Sequence, residues 1–192
     1  MPPRIAYSLN VLALYGLSGV LLVAFYSQFV GGELPCPLCI LQRAGFVIVG
    51  MGLVFNVWRG PLPQQYGLML LGAVAGGAVA LRQLALHVVP GTGTYGPPLF
   101  GLHFYTWAFI AFVAVIVGAA LMLVFFREGY EGVRRGALAN LAIALFIGVT
   151  LANGLSTLAE CGTSLCPDNP TSYEGYETLK VWLGRNGIDV GR

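Results

Sequence analysis

The sequence predicts an all-α membrane protein, a bundle of about five transmembrane helices, and three observations predict it. Of the 192 residues, 57% are hydrophobic and only 9% are charged, whereas soluble globular domains carry about 25% charged residues. Uncharged tracts run from residue 5 to 32, 60 to 81, 83 to 126 and 136 to 159, and one span needs about 20 apolar residues. The arginines, finally, fall in alternate connections. With 10 Lys+Arg against 8 Asp+Glu the net charge is +2, too small and too scattered for a nucleic-acid binder. The composition therefore excludes a soluble enzyme, a disordered regulator and a basic DNA-binding module.

The first span is expected over 6–29. It resembles a signal-peptide core behind Arg4, but it is longer than such cores and no A-x-A-like cleavage site follows, so a retained helix is expected. The second, over 38–58, opens just after Pro37, a residue suited to a helix's first turn. The stretch from Pro90 to Pro98 interrupts the third tract, which gives spans at 66–89 and 104–126. The fifth is expected at 137–159. Gly72, Gly76 and Gly77 let the third span approach a neighbour closely, and Tyr105 and Trp107 are expected in an aromatic belt at the outer start of the fourth, with the lining of a quinone site as the alternative. Residues 1–160 thus form the bundle and 161–192 a tail. In that tail Thr171-Ser172-Tyr173-Glu174 fits a capping box. Tyr173, Tyr176, Leu179, Trp182 and Leu183 recur at helical spacing, predicting a short amphipathic helix that lies in the membrane interface, tethers the Cys161–Cys166 loop or helps dock the partner.

Lys and Arg in short loops mark the cytoplasmic side. Arg4, Arg59, Arg127, Arg134 and Arg135 share one side, and the connections 31–37 and 90–103 hold no basic Lys or Arg. The amino terminus is therefore expected in the cytoplasm, and the tail, with Lys180, Arg185 and Arg192, outside. Cys36 and Cys39 follow the first span, Cys161 and Cys166 the fifth. Four crossings separate the pairs, so both are expected at one membrane surface, the external, oxidising one where disulfides persist.

Cys36-Pro37-Leu38-Cys39-Ile40-Leu41-Gln42-Arg43 carries the sharpest signal. Thiolates at a helix amino terminus are stabilised by free N–H groups and the dipole. Arg43, four residues beyond Cys39, lies on the same face one turn deeper, where a guanidinium favours a Cys39 thiolate and polarises an acceptor's carbonyl. An arginine at the hydrocarbon edge is costly, which argues for a task. The alternatives are a structural disulfide with Arg43 snorkelling to the headgroups, or a tetrathiolate zinc site, which an oxidising, apolar setting disfavours. The expectation is no metal. Four cysteines allow three pairings; the local ones, 36–39 and 161–166, are the expected resting state. The loop Cys161–Cys166 is either an exchange site or a structural staple. An inter-pair bond would then be a transient of exchange.

The eight-residue motif directly after a first span resembles the DsbB (disulfide bond formation protein B) family, and its C-x-x-C-x-x-x-R pattern falls on Cys36, Cys39 and Arg43. The likeness in layout covers about residues 5–126. It implies a multi-pass protein of the bacterial inner membrane with its redox cysteines on the periplasmic face. Such a protein is a dithiol:quinone oxidoreductase that reoxidises a periplasmic thioredoxin-fold oxidase, DsbA, and passes two electrons to ubiquinone or menaquinone of the membrane pool. It further implies that Cys39 is the cysteine beside the quinone and that Arg43 helps bind it. The departure is the second pair. In familiar members it lies between the third and fourth of four helices; here it follows a fifth, and all four cysteines are expected to be catalytic. The stretch after Cys166 is too short for a thioredoxin-like domain, so the dithiol partner is expected to be another protein.

Arg82, inside the third span, is a candidate for quinone binding, with bonding to helix-end carbonyls or snorkelling past His87 as the structural reading. His87 and His103 bracket the outer loop, and His87 is a second candidate at the quinone, because quinone reduction takes up two protons. The rivals are a vitamin-K-epoxide-reductase-like enzyme and a non-catalytic, disulfide-stapled or metal-binding assembly factor. The former normally carries its quinone-proximal CxxC late in the chain.

Overall fold

A computed structural model describes residues 2–89, 91–96, 98–126, 135–168 and 170–185. Pro90, Arg127, Arg134 and Arg192, used above to bound a loop and to orient the chain, lie outside them. The described residues form six helices: α1 (Pro3–Phe29), α2 (Pro37–Arg59), α3 (Pro63–His87), α4 (Phe104–Val124), α5 (Ala137–Cys161) and α6 (Glu174–Arg185). The first five are long and apolar enough to cross a membrane.

Proline at the first or second position opens α1, α2 and α3, where its missing N–H costs nothing. That is why α3 starts at Pro63 rather than at the expected residue 66. Gln65 completes its first turn, its Oε1 accepting from Leu62 N at 3.2 Å. α3 and α4 each end two residues short of expectation, and α5 runs on to Cys161. α6 begins at Glu174, with Glu177 N donating to Tyr173 O at 3.0 Å. Tyr173 is thus the last non-helical residue, and the capping box expected from Thr171 does not form.

α2 is the central helix. It packs on α1 and α3, and α5 rests on α1 and on α2; α4 packs on α3. Small residues set the spacing. A Cβ on Gly45 would stand 2.8 Å from Gly76 Cα, and one on Gly72 2.8 Å from Ile48 Cγ2, so the glycines of α3 do bring it against α2. The Phe112 ring fills the notch over Gly45 and Gly76 and stacks on Phe46, centroids 4.0 Å apart. Phe146 of α5 enters the equivalent notch at Gly50, beside Leu17.

At the end where α2 turns into α3, three buried polar side chains replace water as partners. Asn56 Nδ2 donates to Asn10 Oδ1, and Asn10 Nδ2 to the Tyr66 hydroxyl, both at 2.8 Å. Interhelical hydrogen bonds of this kind fix the register of apolar helices. At the opposite end lie both cysteine pairs, where Phe29 stacks on Tyr173 with centroids 6.3 Å apart. α1 and α4 do not pack face to face among the described residues. They leave a groove floored by α2 and divided into two cavities that share Val20, Phe46 and Ala111.

The α2–α3 spacing gives a test. Gly45→Ala should destabilise the protein by about 1–3 kcal/mol through overpacking. Gly67→Ala, where an added Cβ meets nothing within 4 Å, should be neutral or stabilising by up to about 1 kcal/mol. Thermal unfolding in detergent compares the two.

Candidate functional site

The site begins at the amino terminus of α2. Cys36 is its N-cap residue, extended in backbone, and its sulfur accepts from Cys39 N at 3.2 Å. Cys36 and Cys39 are joined by a disulfide with Cα atoms 5.0 Å apart, and Cys161 and Cys166 by another at 4.7 Å. The four sulfurs are therefore paired locally, as the spacing predicts. Within each pair one residue is inner and one outer. Cys36 (6% exposed) and Cys161 (4%) are buried, whereas Cys39 and Cys166 are half-buried. Leu165, beside Cys166, is 97% exposed, so the second loop presents its Cys166 side outward.

Cys39 and Arg43 line one cavity of about 440 Å³. Its other walls come from α1 (Val20, Val23), from α4 (Phe104, Ala108) and from the α3–α4 connection (Tyr95, Leu99). The guanidinium is held by the protein. Nη1 donates to Gln28 Oε1 at 2.7 Å and to Asn153 Oδ1 at 3.2 Å, and Nη2 to Ala24 O at 2.9 Å. These acceptors belong to α1 and α5, so Arg43 is an interhelical tie and does not snorkel to the headgroups. Gln28 continues the chain: its Nε2 lies 3.5 Å from Glu160 Oε2 and 3.4 Å from the Tyr173 hydroxyl.

Two glutamines flank the first disulfide. Gln83 of α3 is buried, and its Nε2 lies 3.4 Å from Cys36 Sγ and 3.6 Å from Cys39 Sγ. Gln42 Nε2 donates to Gln83 Oε1 at 2.6 Å, which turns the Gln83 amide toward the sulfurs. Arg82, the expected candidate on that helix, is exposed and lines neither cavity. One residue along a helix is a rotation of about 100°, and that rotation puts the amide inside and the charge outside.

His87 lies one turn beyond Gln83, its Nδ1 2.8 Å from Gln83 O. Its ring stacks on Tyr105 at 5.2 Å, and His103 stacks on the same tyrosine at 5.3 Å. Tyr105 is 6% exposed and lines the cavity, so it is not part of a surface belt. Trp107 is 37% exposed and anchors the loop by donating from Nε1 to Leu99 O at 2.9 Å. The two histidines are kept behind Tyr105 and line neither cavity. The Tyr95 hydroxyl donates to Leu34 O. Burial pushes its phenol above the usual range, and the charges of Glu160 and Glu33 add to the rise.

Sequence reasoning missed Gln28, Gln42, Gln83, Asn153 and Glu160. The signal was there: each is a polar residue inside an apolar helix, and such residues usually face a bundle's interior.

Together, fold and site define a multi-pass helical membrane protein with two disulfides at one end of its bundle, one of them bordering an intramembrane cavity. Residues 6–96 match the family model described as "Disulfide bond formation protein DsbB". Three relatives carry the name "Disulfide bond formation protein B". The chain is 43% identical over 84 residues to the one from Nitrosomonas eutropha, covering 42% of this chain and 50% of the relative. Over 77 residues it is 46% identical to that of Marinobacter nauticus, covering 38% and 46%. With the protein from Burkholderia thailandensis it shares 30% identity over 152 residues, 59% of this chain and 88% of the relative. The chain thus spans about half the length of the first two relatives and most of the third. It belongs to the DsbB family. No solved structure gives a significant match. The family model ends before α4, so Asn153 and Glu160 of α5 lie beyond it.

Gln83 offers a test of the site. A hydrogen bond to a thiolate is stronger than one to a disulfide sulfur, so the amide stabilises the reduced pair. Gln83→Leu should leave the 36–39 disulfide harder to reduce by about 1.5–3 kcal/mol, roughly 30–60 mV toward negative potential. Equilibration against dithiothreitol buffers, read by thiol alkylation, measures it.

Proposed function

We propose that this protein is a dithiol:quinone oxidoreductase of the bacterial inner membrane. It reoxidises a periplasmic thioredoxin-fold oxidase of the DsbA kind and delivers two electrons to ubiquinone or menaquinone. The observation that carries the reading is the single cavity in which Cys39 and Arg43 meet, at the end of the bundle where the second disulfide also lies.

The cavity suits a quinone: polar groups from Ser27, Glu33, Cys39, Gln42, Arg43 and Gln83 stand among largely apolar walls. The adjoining cavity of about 400 Å³ along α1 and α4 is lined mostly by apolar residues, which suits an isoprenoid tail. A bound quinone supplies the two-electron, two-proton acceptor. This chain's residues prepare the donor. In the proposed sequence the partner's thiolate attacks the exposed side of the 161–166 disulfide, at Cys166, and the partner leaves oxidised. The reduced pair then attacks Cys36, and Cys39 is expelled as a thiolate. Arg43 holds that charge at the cavity, the N–H groups at the start of α2 support Cys36, and the apolar walls exclude water. The amino terminus is placed in the cytoplasm and the tail in the periplasm on the arginine distribution, with α6 lying along the interface.

Two sites of sequence interest take lesser roles in this reading. His87 positions Gln83 through its backbone carbonyl, and Arg82 faces outward and serves no step. A structural 161–166 staple would leave the chain without an outward-facing electron entry, and a zinc site would need all four sulfurs as thiolates.

Anaerobic quinone reduction by a reduced DsbA-like protein tests the proposal. Cys36→Ser and Cys39→Ser should abolish turnover, Cys161→Ser and Cys166→Ser should block transfer from the protein partner, and Arg43→Met should cost roughly 10–100-fold. Normal turnover in all four serine variants would refute the relay.

A further inference from the structure

Among the described residues Glu160 is the buried carboxyl group that the proposed sequence does not use. It has no exposed surface, and one carboxylate oxygen, Oε1, has no hydrogen-bond partner in the structure. Its other oxygen sits at 3.5 Å from Gln28 Nε2, the amide whose oxygen receives Arg43 Nη1 at 2.7 Å. A carboxylate in such a place is costly unless a cation compensates it. Arg43 is the cation whose field reaches it. Gln28 therefore bridges a pair of opposite charges, one bordering the cavity and the other buried one residue before Cys161. The remaining titratable groups that face this cluster are Tyr173 at the head of α6, together with Tyr95 and Glu33 of the connections.

A single arginine cannot compensate two anions at once. While the 36–39 disulfide is intact, Glu160 is the carboxyl group whose charge acts on Arg43, with the Tyr173 hydroxyl beside it. When the disulfide opens and the Cys39 thiolate forms at the cavity wall, two negative charges face one guanidinium in a medium of low dielectric. We propose that Glu160 is a positioning residue, the protonatable counter-ion of Arg43, and that it takes up one proton when the Cys39 thiolate forms. Arg43 is thereby released to serve the thiolate and the acceptor beside it.

This rests on the proposed quinone chemistry for its purpose. The dithiol gives up two electrons and two protons, the sulfurs end as disulfides, and the acceptor takes both electrons and both protons. Glu160 holds one of those protons between the exchange step and the acceptor's reduction. The fifth helix, which bears the second cysteine pair, would thus also supply the charge that times the first.

Infrared difference spectroscopy of the full chain in phosphatidylcholine vesicles, without quinone, tests this directly. Reduction by dithiothreitol should produce a protonated-carboxyl band that Glu160→Gln removes and Glu160→Asp shifts. Absence of that band in the unsubstituted protein, or its persistence in Glu160→Gln, overturns the proposal. As a second readout, Glu160→Gln should lower kcat for decyl-ubiquinone roughly 10–100-fold with KM unchanged, as loss of a supporting outer partner does, and Glu160→Asp should restore part of it. Wild-type kcat and pH profile in Glu160→Gln would also overturn it. Failure of the unsubstituted protein to reduce the quinone would refute the oxidoreductase reading instead, and leave the infrared result to stand by itself.

Discussion

The guanidinium of Arg43, satisfied inside an apolar bundle, is the constraint on which the rest of the structure depends. Arginine cannot shed its charge, and hydrocarbon offers it nothing to bond. Ala24 O and Gln28 from α1 and Asn153 from α5 must therefore converge on it. That convergence fixes where α5 can sit: against α1 and α2, with Phe146 seated over Gly50. It also explains why polar residues interrupt helices that otherwise read as plain membrane spans.

Because α5 occupies one flank of α1, the other flank is free to border the groove toward α4. The two features that a membrane-embedded redox site needs then arise from one arrangement. Arg43, held by α1 and α5, and Cys39 emerge on one face of α2, and both border the same largely apolar cavity. The glutamine pair Gln42–Gln83 does for the first disulfide what Gln28 and Asn153 do for the arginine. Each amide supplies a hydrogen bond without adding charge, which suits a low-dielectric surrounding in which every extra ion must be compensated.

Much of this was legible in the sequence, for physical reasons. Spans announce themselves because hydrocarbon demands about 20 apolar residues, and Pro37 marks the start of α2 because proline tolerates a helix's first turn. The motif Cys36, Cys39 and Arg43 was readable since helical spacing alone puts the three on one side of one helix. What failed was whatever required knowing the neighbours. Arg82 drew attention by its charge, yet the amide of Gln83 faces the sulfurs. Tyr105 had the position of a belt residue, yet two histidines bury it. The expected cap at Thr171 lost to a start at Glu174, where Tyr173 reaches α1 through Gln28 and Phe29. Asn153 and Glu160 stand two turns apart on α5, but Gln28 and Arg43 lie on other helices, and only packing brings the four together.

Two sulfur couples remote in sequence lie at one end of the bundle. Two double-serine variants test it most directly, one keeping only Cys36 and Cys161, the other only Cys36 and Cys166. After mild oxidation in membranes, an intramolecular bond should close in at least one of them. If neither closes, and an impermeant thiol reagent reaches the remaining cysteines from opposite sides of the bilayer, the account is contradicted.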